Sequence, residues 1–155
     1  MIQRIQTIYL LISLILIGLF FWFPIAELFV DGNSQYFFLY RGIYSTAGEF
    51  DILAISTVPL AILFTIIIIL NLVSIFLYKN RLLQMRVSIL NIMLMLGSLG
   101  LMYFYIWIAE TELNAEAQYT TLMPIIPLIS AILTFIAFKA INKDQKLVKS
   151  LDRIR

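Results

Sequence analysis

Residues 78–91, YKNRLLQMRVSILN, place three basic residues, a glutamine and two asparagines in the middle of an otherwise apolar chain. Toward the N-terminus the sequence carries no charge back to Ile52, and toward the C-terminus none from Val87 to Ala109. Each run exceeds the ~20 residues a helix needs to cross a ~30 Å hydrocarbon layer. Lys79, Asn80 and Arg81 therefore read as a turn between two membrane crossings, with Asn80 suited to a left-handed cap or an N-cap.

Working outward, two further uncharged runs cover Ile5 to Ala26 and Ala117 to Phe138. The chain has 155 residues, 62% of them hydrophobic and 13% charged, with a mean hydropathy of +0.97. The pattern predicts a single all-α integral membrane domain, a four-helix transmembrane bundle with spans at about 5–26, 52–78, 83–109 and 118–140. A loop at 27–51 and a basic tail at 141–155 complete it. The first run is too long for the apolar core of a signal peptide and lacks a small-residue cleavage site, so it reads as an uncleaved signal anchor.

Charge placement orients the bundle. Ten of the eleven basic residues fall on the side of the termini and the 79–86 turn, leaving only Arg41 opposite. By the positive-inside rule both termini are cytoplasmic. Seven of the nine acids lie on the other side, where they either solvate the loops or attract cations or a basic partner. The loop at 27–51 is rich in strand formers and has room for a small β-meander at Leu28–Val30, Gln35–Tyr40 and Ile43–Thr46. The second outer loop, ETELNAEAQ, reads as helix-compatible.

The chain contains neither Cys nor His, which removes disulfides, thiol nucleophiles, Cys/His metal sites and Ser/His catalysis. No residue qualifies as catalytic, metal-ligating or cofactor-binding, and a net charge of +2 gives no footprint for nucleic acid. Polar residues inside the spans are more informative. Arg81, Gln84, Ser88, Asn91, Met95, Ser98, Met102 and Tyr105 recur at steps of three and four, the seam of a left-handed bundle. Counted from the nearest basic residue on the terminus side, Ser13, Asn71, Asn91 and Thr134 fall at similar depth. They are expected to form an intramembrane polar cluster, either as glue between helices or as a small polar cavity. Pro59, Pro124 and Pro127 sit near the outer helix ends, where a first-turn proline is tolerated.

At the cytoplasmic rim, Arg4, Lys79, Asn80, Arg81, Gln84 and Arg86 are the candidate contacts for a partner or for lipid phosphates. Arg86 lies one turn inside the third span, so it must snorkel or find an anion. The tail spaces Leu147 or Val148, Leu151 and Ile154 on one helical side, which suits a helix on the membrane surface as well as simple charge retention.

The opening MIQRIQ and the central Lys79, Asn80, Arg81 and Gln84 resemble a family of small four-span inner-membrane proteins of Bacteroidetes, the domain-of-unknown-function family numbered 4293. The resemblance runs from end to end of the chain and brings no activity with it. It implies the cytoplasmic membrane of a Gram-negative cell, with the acidic loops facing the periplasm. The expected function is that of a non-enzymatic inner-membrane protein, an accessory or structural subunit of a larger membrane assembly, with membrane lipids and other inner-membrane proteins as partners. The alternative is a lipid-binding or small-solute-handling protein that uses the polar layer.

Overall fold

The computed structural model describes residues 2–30, 34–45, 52–113, 116–118 and 123–152, with side chains at 5–29, 36–45, 53–113 and 123–146. It is mostly helical, with four helices: α1 at Ile2–Gly18, α2 at Val58–Phe76, α3 at Arg81–Leu113 and α4 at Ile126–Asp152. Each packs on its sequence neighbours, and α4 closes the ring against α1.

Three helical segments are long and apolar enough to cross a membrane: Val58–Lys79, Arg81–Leu113 and Met123–Lys146. The first helix is shorter. At ~1.5 Å per residue α1 rises about 26 Å, and the tighter 3-10 turn at Leu19–Phe21 extends it by about 6 Å. Together they match the ~30 Å of a hydrocarbon core. The bundle is turned inside out relative to a soluble one. Ile8, Ile15, Ile62, Met93 and Ile132 are more than half exposed, while Ser13, Asn71, Ser88, Asn91 and Thr134 are sealed inside. In water that outer surface would be prohibitively apolar; in lipid it costs nothing.

A five-stranded antiparallel sheet caps one end of the bundle. Its strands are β1 (Ala26–Val30), β2 (Ser34–Leu39), β3 (Gly42–Ser45), β4 (Ile52–Ser56) and β5 (Glu116–Gln118), in the order β4-β3-β2-β1-β5. The loop at 27–51 was expected to hold three strands; the sheet adds one from each side. Ile52–Ser56 is a strand, not the start of the second span, because a short apolar run looks the same whether it is buried strand or buried helix. The helix begins only at Val58, where Pro59 occupies its first turn. Glu116–Gln118, read as helix-compatible loop, pairs antiparallel with Glu27–Phe29 of β1. That pairing joins positions almost ninety residues apart, which no local pattern encodes.

Other boundaries shift for related reasons. The first span ends as helix at Phe21, and Ala26 already belongs to β1, since Pro24 breaks the run. The third helix runs beyond 83–109 at both ends, to Arg81 and Leu113, rising about 50 Å in all. The fourth starts at a 3-10 turn, Met123–Ile125, not at 118. It continues to Asp152, so the tail extends the span instead of forming a separate element. Residues 31–33, between the first two strands, and the side chains of Leu147, Val148, Leu151 and Ile154 lie outside the described residues.

The sheet is fastened to the bundle. Phe38, Leu28 and Ile43 are fully buried and join one core with Met102, Ile106 and Ala109 of α3. Phe38 faces Tyr105 at 6.5 Å and Phe21 packs on Tyr40 at 4.8 Å, measured between ring centroids. Thr57, at the head of α2, reaches the β2–β3 turn: its N–H donates to the Arg41 carbonyl at 3.2 Å. Its hydroxyl lies 3.3 and 3.2 Å from the carbonyls of Leu39 and Tyr40.

Candidate functional site

The helix interiors align in layers. A hydrogen bond between the Ser74 and Ser88 hydroxyls, 3.1 Å, sets the level of α2 against α3. One turn further along each antiparallel helix brings Asn71 level with Asn91, then Ile67 with Met95, Phe64 with Ser98 and Leu60 with Met102. All of these are buried. On the opposite side of the ring, Ser13 and Thr134 meet at 3.1 Å. Stepping from them pairs Leu10 with Ala137 and Ile17 with Ser130, again all buried. The three-and-four spacing of the polar residues is the physical cause, since it keeps one stripe of each helix on the common axis.

In the polar layer hydrogen bonds join three helices. Thr134 Oγ1 donates to the Ser130 carbonyl at 2.8 Å, one turn back along its own helix. The Ser13 and Thr134 hydroxyls lie 3.1 Å apart, either able to donate, and Ser13 Oγ also lies within donating distance of the Ser130 carbonyl at 3.3 Å. Ser13 in turn accepts from Asn71 Nδ2 at 3.1 Å. The run Asn71 to Ser13 to Thr134 to Ser130 links α2, α1 and α4, and each link polarises the next. Thr134 Oγ1 also lies 3.9 Å from Met95 Sδ, which brings α3 against the same group.

Asn91 is the fourth member of the expected cluster, and it stands apart. It is 0% exposed and level with Asn71, yet neither Nδ2 nor Oδ1 has a hydrogen-bond partner among the described residues. Asn71 Oδ1, Ser130 Oγ and Gln6 Nε2 are likewise buried and unpaired. An unpaired buried amide costs roughly 1–3 kcal/mol. Ser130 entered the layer mainly through its backbone carbonyl, an acceptor that side-chain periodicity does not report.

Above the polar layer the core is mostly apolar, with Ser98 and Ser130 as buried polar residues at its edge. Phe20 and Phe64 stack at 4.3 Å between centroids with planes 19° apart, flanked by Ile17, Ile67 and Leu60. The interior is thus polar in the half near the termini and greasy in the half beneath the sheet.

At the rim the candidate residues are dispersed. Arg81 is the one that finds an anion: its guanidinium lies 3.5 Å from the Asp144 carboxylate and donates to the Asp144 carbonyl at 3.2 Å. This ion pair ties the start of α3 to α4. Asn80 has φ −108°, outside the left-handed region. It is the N-cap residue of α3, its carbonyl accepting from the Gln84 N–H at 3.0 Å. Lys79 is exposed, its ammonium 6.0 Å from the Tyr78 ring. Gln84 is buried and turned inward, away from any rim partner, and its carbonyl accepts from Ser88 at 2.8 Å. Arg86 is exposed and forms no ion pair with a described residue. The side chain of Arg4 lies outside the described residues. Among those described, no three acidic side chains gather into a metal-binding group.

A family model described as a domain of unknown function, DUF4293, matches residues 2–154. The chain belongs to that family. The DUF4293 match takes in all four helices, both contributions to the sheet and the polar layer. Comparison with curated proteins and with solved structures finds no match.

Proposed function

We propose that this DUF4293 protein is a four-span, non-enzymatic protein of the bacterial inner membrane, with both termini cytoplasmic, acting as an accessory or structural subunit of a larger membrane assembly. The observation that carries the reading is the cap: strands from both outer loops form one sheet, pinned to the bundle through Thr57, Phe38 and Phe21. A rigid outer platform whose edge strand β4 ends the sheet is a surface suited to another protein. The bundle interior supports the same reading, because its hydroxyl chain is used to hold helices together. Purification from native membranes in mild detergent, with cross-linking and mass spectrometry, tests it. A discrete larger complex with fixed stoichiometry is expected; a monomer without any specific neighbour would refute the reading.

The orientation is tested separately. Because the chain contains no cysteine, Arg41→Cys and Lys79→Cys each supply a unique thiol. With an impermeant maleimide on intact spheroplasts, Arg41→Cys should label at once and Lys79→Cys only after lysis.

A second reading is favoured by the unpaired amide of Asn91 and the unpaired Oδ1 of Asn71: a lipid- or small-solute-handling protein whose polar layer meets a ligand. Arg81 is engaged by Asp144, so Arg86 would be the cation available for a phosphate at the rim. A ligand-dependent rise in thermal stability that is lost in Asn91→Leu would establish it over the first.

A further inference from the structure

Away from the polar layer, the outward wall of α3 carries a groove of about 420 Å³ lined by Gly100, Tyr103, Phe104, Ile106, Trp107 and Glu110. Gly100 leaves the hollow; Tyr103, Trp107 and Glu110 follow at steps of four and three, stacked along one face of the helix. Tyr103 is 72% and Trp107 61% exposed, so neither ring is used to hold the fold. Phe104 and Trp107 lie 6.3 Å apart between centroids. Three aromatic faces, each electron-rich, end at an exposed carboxylate that forms no ion pair with a described residue. A second hollow of about 320 Å³ shares Tyr103 and Ile106 and continues to Pro124 and Ile125. Apart from the Tyr103 hydroxyl it is lined by apolar side chains.

Depth identifies what such a groove meets. From Arg86 to Glu110 the helix rises about 36 Å, slightly more than the ~30 Å hydrocarbon core. With Arg86 at the inner interface, Glu110 stands at the level of the outer headgroups, Trp107 lies about 5 Å beneath it, and Tyr103, about 10 Å beneath it, reaches the acyl region.

We propose that this groove binds the ammonium headgroup of a zwitterionic phospholipid of the outer leaflet, with Glu110 as counter-charge, Trp107 as the cation–π face, and an acyl chain along Tyr103 in the hollow beside Pro124 and Ile125. The inference rests on the membrane-spanning reading above. Charge complementarity favours the lipid over a second copy of the chain, which offers only Arg41 as a basic residue on this side.

The chain has two tryptophans, so Trp22→Phe leaves Trp107 as the sole reporter. The full-length variant is reconstituted in dioleoylphosphatidylcholine vesicles containing chain-brominated phosphatidylethanolamine, phosphatidylcholine or phosphatidylglycerol, and quenching of Trp107 gives relative binding constants. Both ammonium lipids should exceed phosphatidylglycerol by roughly three- to tenfold, and the two arms separate primary from quaternary ammonium. Glu110→Gln should remove at least half of that preference, while Glu112→Gln should keep it. Equal quenching by all three lipids, a preference for phosphatidylglycerol, or a preference untouched by Glu110→Gln would overturn the proposal. Trp107 shielded from every brominated lipid, with Trp22 still quenched in Trp107→Phe, would show protein covering the groove and overturn it as well. Quenching of neither tryptophan would overturn the membrane-spanning reading together with it.

Discussion

Replacing Asn91 with leucine should stabilise the protein. The side chain is 0% exposed and neither of its polar atoms is paired. Burying an amide in that condition costs roughly 1–3 kcal/mol. Leucine branches at the same carbon, so the substitution is close to shape-conserving, and the strain of its slightly larger end is on the order of 1 kcal/mol. The difference leaves a gain of up to about 2 kcal/mol. Asn71→Leu is the internal comparison, because it sits level with Asn91 but donates to Ser13 at 3.1 Å. Its loss of a transmembrane hydrogen bond, ~0.6 kcal/mol on average, is offset by relief of the unpaired Oδ1, so the change should be close to zero. Equilibrium unfolding in mixed micelles of mild detergent and dodecyl sulfate, followed by far-UV circular dichroism, reads both variants. A destabilisation of Asn91→Leu by about 1 kcal/mol or more would refute the reasoning, since it would mean that the amide has a partner in the membrane.

A double-mutant cycle of Ser13→Ala and Thr134→Ala, read by the same unfolding assay, should give a coupling of about 0.6 kcal/mol and no more than ~1.7. Gly42→Ala should loosen the sheet, because an added Cβ meets the Leu53 side chain and approaches the Ile55 carbonyl to 2.9 Å. Hydrogen exchange at residues 52–56 should accelerate about tenfold per ~1.4 kcal/mol of local destabilisation, with exchange in the middle of α3 unchanged. Arg81→Ala should cost no more than about 1 kcal/mol at low salt and less at high salt, as expected of a partly exposed pair.

Length and hydropathy made the apolar helices legible, because crossing hydrocarbon imposes a long uncharged run that no other element requires. The three-and-four spacing of Gln84, Ser88, Asn91, Met95, Ser98 and Met102 identified the stripe that α3 buries, since a helix can direct only one face inward. The counted depth of Ser13, Asn71 and Thr134 placed them at one level, where the structure joins them by hydrogen bonds. Family membership was legible in the opening residues and the central turn.

The tertiary structure alone decided the rest. Ile52–Ser56 is a strand because β3 lies beside it, and Glu116–Gln118 is one because β1 does; strand pairing is non-local, so neither segment carries the instruction in its own composition. Which polar groups in the shared layer find partners was also undetermined by spacing. Asn71 and Asn91 are the same residue type at the same level, yet one donates to Ser13 and the other meets nothing. The difference comes from sub-ångström placement of neighbouring helices: a hydrogen bond forms or fails over a few tenths of an ångström, whereas periodicity positions a side chain only to within a helical face.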